Sequence, residues 1–239
     1  TEGYKKPIFV AFILVGTVSC ICLGMAENWL LFLVVFIIAK VGYSGSLIFY
    51  DSMLSDVTTK ERMDEVSSKG FAWGYIGSCI PFVICLFIVL GSGTLGLSME
   101  TAMGIAFIII SAWWLLFSLP LLKTYRQKYY IKKKKNAVAD SFKRIWSTLK
   151  NAGNEKKILF FLIAFFFYID GVYTIIDMAT AYGSALGLDS TGLLLALLVT
   201  QIVAFPFAIL FGRLAQKYPV EKLITFCVSA YFGIAVFAM

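Results

Sequence analysis

Seven stretches of this 239-residue chain stay apolar for about 20 residues each, the length that crosses a bilayer at 1.5 Å rise per residue. They run over 7–25, 28–50, 70–91, 102–122, 157–178, 190–212 and 222–239. In lipid such runs become helices, because a helix satisfies its own backbone polar groups. The apolar pattern is continuous rather than alternating, which argues against a membrane β-barrel. Composition agrees: 60% of residues are hydrophobic and 15% charged, against about 25% charged in soluble domains. The expected fold class is an all-α membrane protein with about seven transmembrane helices. There is no signal-peptide pattern at the start. The chain opens on Thr1 and stops at Met239 inside an apolar run, and is read as a piece of a longer protein.

Charge placement predicts the topology. The basic residues lie in 1–6, 51–69, 123–156 and 213–221 or at the abutting span ends (Lys157, Lys222), and only Lys40 is inside a span. The intervening loops 26–27, 92–101 and 179–189 hold no Lys or Arg. By the positive-inside rule the basic loops are cytoplasmic. The net charge of +7 is therefore a membrane-topology signal, and no nucleic-acid partner is expected.

Five cysteines (Cys20, Cys22, Cys79, Cys85, Cys227) sit in apolar segments without metal-type spacing, and the chain has no histidine. They read as small buried residues. No metal site and no cofactor are expected.

The 123–156 segment divides the spans into four and three. Lys132–Lys135 is a basic tetrad suited to anionic head groups. Downstream, Val138, Phe142, Ile145, Trp146 and Leu149 recur at helical spacing, with Lys143, Arg144 and Lys150 between them. That pattern predicts an amphipathic helix in the membrane interface. The expected organisation is thus a four-span part (1–122), a basic cytoplasmic linker (123–156) and a three-span part (157–239), the plan of a two-half transporter. Thr58-x-x-Glu61 predicts a capping box opening a short cytoplasmic helix. Gly70-x-x-x-Gly74-x-x-Gly77 predicts a small-residue face where helices approach closely. Trp113 and Trp114 fall mid-span, with no substrate role assigned.

Asp170 is a carboxylate in the middle of an apolar run, costly in lipid unless it faces protein or a watery cavity. Asp177 lies two turns on, with Tyr173 and Thr174 between them at i+3 and i+4. Lys40 stands about twelve residues into the second span, with Tyr43 and Ser44 in the same relation to it. Each set would form a polar stripe on its helix. A carboxylate in low dielectric has a raised pKa and can carry a proton through a transport cycle, and a lysine can hold a substrate carboxylate. The alternative is a structural ion pair. Asp51 and Asp56, past the second span, are candidate gate or loop residues that would pair with Lys60, Arg62 or Lys69.

Three stretches carry a resemblance: Phe49-Tyr-Asp-Ser-Met-Leu-Ser-Asp-Val57, Val66-Ser-Ser-Lys-Gly-Phe-Ala-Trp-Gly-Tyr-Ile-Gly77 and Tyr168-Ile-Asp-Gly-Val-Tyr-Thr-Ile-Ile-Asp-Met-Ala179. With Gln201-Ile-Val-Ala-Phe205 they resemble the vacuole-effluxer-like branch of the major facilitator superfamily, which includes fungal vacuolar amino-acid effluxers and bacterial members. The likeness covers about residues 5 to 235. Gly212-Arg-Leu-Ala-Gln-Lys-Tyr-Pro-Val-Glu-Lys222 is similar to the superfamily's cytoplasmic loop between the second and third helices of each half, and Tyr4-Lys-Lys-Pro7 to the tail of its counterpart. Gln216 replaces that loop's Asp, removing the carboxylate of a charge-locked gate. Pro219 stands near its Gly, and Ser55 stands where the family often has Pro.

The resemblance implies a major-facilitator-type bundle represented from helix three to helix nine of twelve. The second and fifth spans would then line a central cavity, where Lys40 and Asp170 could pair. It implies an alternating-access secondary transporter exporting small organic solutes such as amino acids, with protons as a possible coupling ion. Candidate binding residues are Lys40, Asp170, Asp177, Tyr43, Tyr173 and Gln201. Candidate cytoplasmic gate residues are Asp51, Asp56, Arg213 and Lys217. The membrane would be the plasma membrane of a bacterium or the vacuolar membrane of a fungus. Rival readings are a non-transporting receptor or scaffold and a membrane-embedded enzyme. The enzyme reading is disfavoured because no His-rich, Ser/His/Asp or paired-carboxylate constellation sits at a membrane face.

Overall fold

The computed structural model describes residues 4–129, 137–154 and 156–237. Among them there are eight α-helices, one 3-10 turn and no strand. The helices are α1 (Lys5–Leu23), α2 (Trp29–Val57), α3 (Met63–Leu90), α4 (Met99–Thr124), α5 (Ala137–Asn154), α6 (Lys156–Ala185), α7 (Ser190–Ala215) and α8 (Val220–Phe237). All but α5 are long and apolar enough to cross a membrane. Most large apolar side chains on them face outward, as suits lipid and not water. The Lys132–Lys135 tetrad lies outside the described residues, as do the side chains of Val138 and Leu149.

Local chemistry sets the helix ends. Asn28 accepts the Leu31 N–H at 2.8 Å and opens α2. Ser98 accepts the Thr101 N–H at 3.1 Å and opens α4. Asp189 accepts the Gly192 N–H at 2.8 Å in the first turn of α7. Each side chain satisfies a donor that the first helical turn leaves orphaned. Gly187, with φ at 79°, makes the left-handed turn after α6, and Leu188 donates back to the Gly183 carbonyl at 3.1 Å.

Two expectations are corrected here. Thr58 closes α2 rather than opening a helix, its N–H donating to Leu54 at 3.1 Å. The short helix that follows is a single 3-10 turn, Lys60–Arg62, with no side-chain cap at Thr59. Second, Gly74 and Gly77 make no close helix contact: a Cβ at either would meet nothing within 4 Å among the described residues. The close approach occurs between α1 and α2 instead. A Cβ on Gly42 would stand 2.5 Å from the Gly16 nitrogen and 2.6 Å from its Cα.

Both α2 and α3 also run past the spans expected for them, to Val57 and from Met63. A helix satisfying its own backbone need not stop at the membrane surface, and the α2 extension is held by the buried side chains of Met53 and Asp56.

The structure divides into two compact units. The first comprises Thr1–Ile131 with Leu195–Tyr218, and the second Lys132–Leu194 with Pro219–Met239. In the first, α1 packs along α2 and against α4, around a core of Phe9, Ile13, Met53 and Tyr125. Ser111 on α4 donates to the Thr17 carbonyl of α1 at 3.2 Å, a buried polar link between helices. In the second, α5 packs against the helix that follows it, α6.

Candidate functional site

The Lys40 stripe lies on α2 in the first unit. Lys40 is the twelfth of the 29 residues of α2, and its neighbour Gly42 is where α2 touches α1. One turn after Lys40, the Tyr43 ring meets Trp114 of α4 edge-on, with centroids 6.1 Å apart. Trp114 lies over Gly16, where any Cβ would strike its ring. The mid-span tryptophan thus packs: it fills the groove that two glycines open and supports Tyr43 from behind.

The Asp170 stripe lies on α6 in the second unit. Asp170 is the fifteenth of 30 residues, the helix midpoint. Because α6 is unbroken from Lys156 to Ala185, Asp170, Tyr173, Thr174 and Asp177 share one face. All four are exposed on the surface of the helix.

Gln201 belongs to a seam between α3 and α7 within the first unit. Its Oε1 lies 2.7 Å from the Ser78 hydroxyl. Further along, Trp73 meets Phe205 edge-on at 6.1 Å. At the end of the seam, a Cβ on Gly212 would collide with the Ser68 side chain. Beside that contact opens a cleft of about 380 Å³, lined by Glu65, Ser68, Lys69, Ile209, Gly212, Arg213 and Gln216. Glu65 holds Lys69 at 2.6 Å and Arg62 at 3.5 Å. Arg213 therefore faces an acid already bracketed by two cations. Lys217 is exposed beyond the cleft, and Asp51 is exposed on α2.

Asp56 behaves otherwise than expected. It pairs with Lys5, not with Lys60, Arg62 or Lys69, and it is buried rather than solvated. The start of α1 packs beside the end of α2, which brings the Lys5 ammonium 2.8 Å from Oδ2. Lys5 Nζ also donates to the Ser52 carbonyl at 2.9 Å. The Tyr125 hydroxyl donates to Oδ2 at 2.6 Å. The backbone N–H groups of Lys128 and Tyr129 donate to Oδ1 at 3.1 and 2.9 Å. Burial, and then the adjacent Asp56 carboxylate, push the Tyr125 phenol well above its ordinary range, so it stays a donor. The carboxylate thereby ties the segment after α4 to the ends of α1 and α2.

Sequence reasoning missed Ser78, Lys5 and Tyr125 as partners. The sequence places Lys5 in a basic loop and in the Tyr4-Lys-Lys-Pro7 loop tail, and neither reading gives it a partner. Tyr125 carried no signal, since one tyrosine beside a basic segment has nothing periodic to distinguish it.

A family model described as vacuole effluxer Atg22 like matches residues 55–239. The chain belongs to that family. The Atg22-like chain is 43% identical over 241 residues to the uncharacterized MFS-type transporter YxiO of Bacillus subtilis, covering 99% of this chain and 56% of that protein. It is 24% identical over 134 residues to autophagy-related protein 22 of Botryotinia fuckeliana, covering 51% of this chain and 22% of that one. With autophagy-related protein 22 of Vanderwaltozyma polyspora it shares 21% over 270 residues, covering 95% and 51%. This Atg22-like chain thus spans about half the length of its bacterial relative. No solved structure matches it. Its helical architecture is that of a major-facilitator-type bundle, with seven helices fit to cross a membrane among the described residues.

Proposed function

We propose that the full protein is a secondary transporter that exports small organic solutes, amino acids among them, by alternating access about a site near the membrane midplane. The observation that carries this reading is the pair of midspan charges in a chain of this family: Lys40 in α2 and Asp170 at the midpoint of α6. Charges at that depth are retained where they face a cavity or each other. In this reading Lys40 holds a substrate carboxylate, and Asp170 takes and releases a proton or pairs with Lys40 between loads. Tyr43, Tyr173, Asp177 and Gln201 line the path with hydrogen-bonding groups. The basic segments face the cytoplasm, in accord with the charge asymmetry of the loops. Asp51, Asp56, Arg213 and Lys217 belong to the cytoplasmic closure, with Arg213 and the Glu65–Lys69 pair across one cleft. The basic linker over 123–156 separates the two bundles in sequence.

Counterflow of labelled amino acids into liposomes holding the full-length protein tests this. Asp170→Asn and Lys40→Ala are each expected to lower flux at least tenfold while leaving reconstitution intact. Unchanged flux in both variants would refute the site. Absence of flux for every solute in the native protein would favour a non-transporting receptor.

A further inference from the structure

We propose that α5 is a membrane-surface helix, seating Phe142, Ile145 and Trp146 in the acyl boundary of an anionic leaflet. These three large side chains stand 70%, 58% and 74% exposed. Their spacing, i, i+3 and i+4, puts them on one face of the helix. Lys143 and Lys150, seven residues apart, run along one edge of that stripe, with Ser147 across the helix from it. A contiguous apolar face of this kind is a liability in water and is satisfied at a lipid boundary. Trp146 suits such a boundary in particular, where an amphipathic ring sits at head-group level.

Position selects lipid over a protein groove. α5 ends at Asn154 and the membrane-crossing α6 begins at Lys156, so the end of α5 lies at the depth where a membrane helix meets the surface. The linker's other end is tied as well: Lys128 and Tyr129 are pinned through their backbone to Asp56 at the end of α2. Charge selects the kind of lipid. The helix carries Lys143, Arg144 and Lys150 against the single acid Asp140, and beside it Lys156 and Lys157 outnumber Glu155. That balance fits acidic head groups such as phosphatidylglycerol. Seating does not depend on which leaflet is involved.

The test is collisional accessibility by electron paramagnetic resonance. Full-length protein with its native cysteines replaced carries a spin label at Phe142→Cys or at Ser147→Cys. Vesicles are made of phosphatidylcholine alone or with about one-third phosphatidylglycerol. With phosphatidylglycerol present, the label at 142 is expected to collide severalfold more with oxygen than with a water-soluble nickel chelate, and the label at 147 to show the reverse. Without the anionic lipid, nickel access at 142 should rise. Equal nickel access at both positions in anionic vesicles would overturn the seating. A label at 142 shielded from both reagents would overturn it in favour of a protein groove. Embedding that ignores lipid charge would overturn the anionic preference. Should the cysteine-replaced chain fail to reconstitute, brominated lipids give the same reading from the native chain against Trp146→Phe. A loss of quenchable fluorescence in the variant supports seating, and identical quenching overturns it.

Discussion

Asp56 is surrounded by four donors drawn from the start of α1 and the segment after α4. Its side chain is fully enclosed while that of Lys5 retains 17% exposure, so its removal strands a nearly buried ammonium. Breaking one partner of such a pair costs about 3–5 kcal/mol. Asp56→Ala is expected to lose stability in that range, read as a lowered Tm of the detergent-solubilised protein. Tyr125→Phe removes one hydrogen bond to a charged acceptor and should cost less, about 1.5–3 kcal/mol. An equal loss in both would place the energy in the Tyr125 hydrogen bond rather than in the Lys5 ion pair. Tyr125 also predicts a pH effect. Its phenol ionises near pH 10 in the unfolded chain and higher in the folded one, so the folded state binds more protons above pH 10. Stability from this group is present below pH 10 and lost as pH rises through the folded value. An alkaline decline in Tm that is shallower in Tyr125→Phe than in the native chain is the expected result. Asp56 was legible as a carboxylate at a helix end. Its partners were not, because Lys5 and Tyr125 are brought to it only by packing.

At the scale of the helix, the Gly16–Gly42 contact decides how closely α1 and α2 can lie. Any side chain at 42 must displace backbone rather than a flexible side chain, which forces the helices apart. Gly42→Leu should destabilise by about 1–3 kcal/mol as overpacking does, whereas Gly74→Ala, facing open space, should leave Tm unchanged or raised. A matching loss at Gly74 would mean that α3 has a neighbour at that face. Helix existence was readable from apolar length, and the caps at Asn28 and Ser98 follow from local side-chain chemistry. Which glycine stripe makes contact was not readable. The Gly70, Gly74 and Gly77 spacing offers the same small surface as Gly16 and Gly42, and only the partner helix distinguishes them.

At the scale of the whole molecule, α3 and α7 stand on opposite sides of the linker in sequence and meet along one seam. Ser78 with Gln201, Trp73 with Phe205 and Ser68 with Gly212 are its points of contact. A Cβ at Gly212 would come 2.6 Å from that of Ser68. Gly212→Ala is therefore expected to reduce counterflow severalfold in liposomes, and Ser68→Gly in the same chain to restore it. No rescue would show that residue 212 acts elsewhere. The family and the bundle were legible from span length and a few motifs. The seam was not, since it joins positions more than a hundred residues apart that no periodicity links. The polar stripes about Lys40 and Asp170 were legible for a simple reason: one continuous helix carries each.

The short connection between α1 and α2 sets an order of events during synthesis. Five residues, Gly24 to Asn28, separate two helices that fit together backbone to backbone. Closing so short a loop costs little entropy, and such local contacts form early. The two helices also leave the ribosome consecutively, so this hairpin can assemble in the bilayer before α3 is made. A bulky residue at Gly42 would then register first as a nascent chain cleared by quality control, and only in surviving molecules as altered activity.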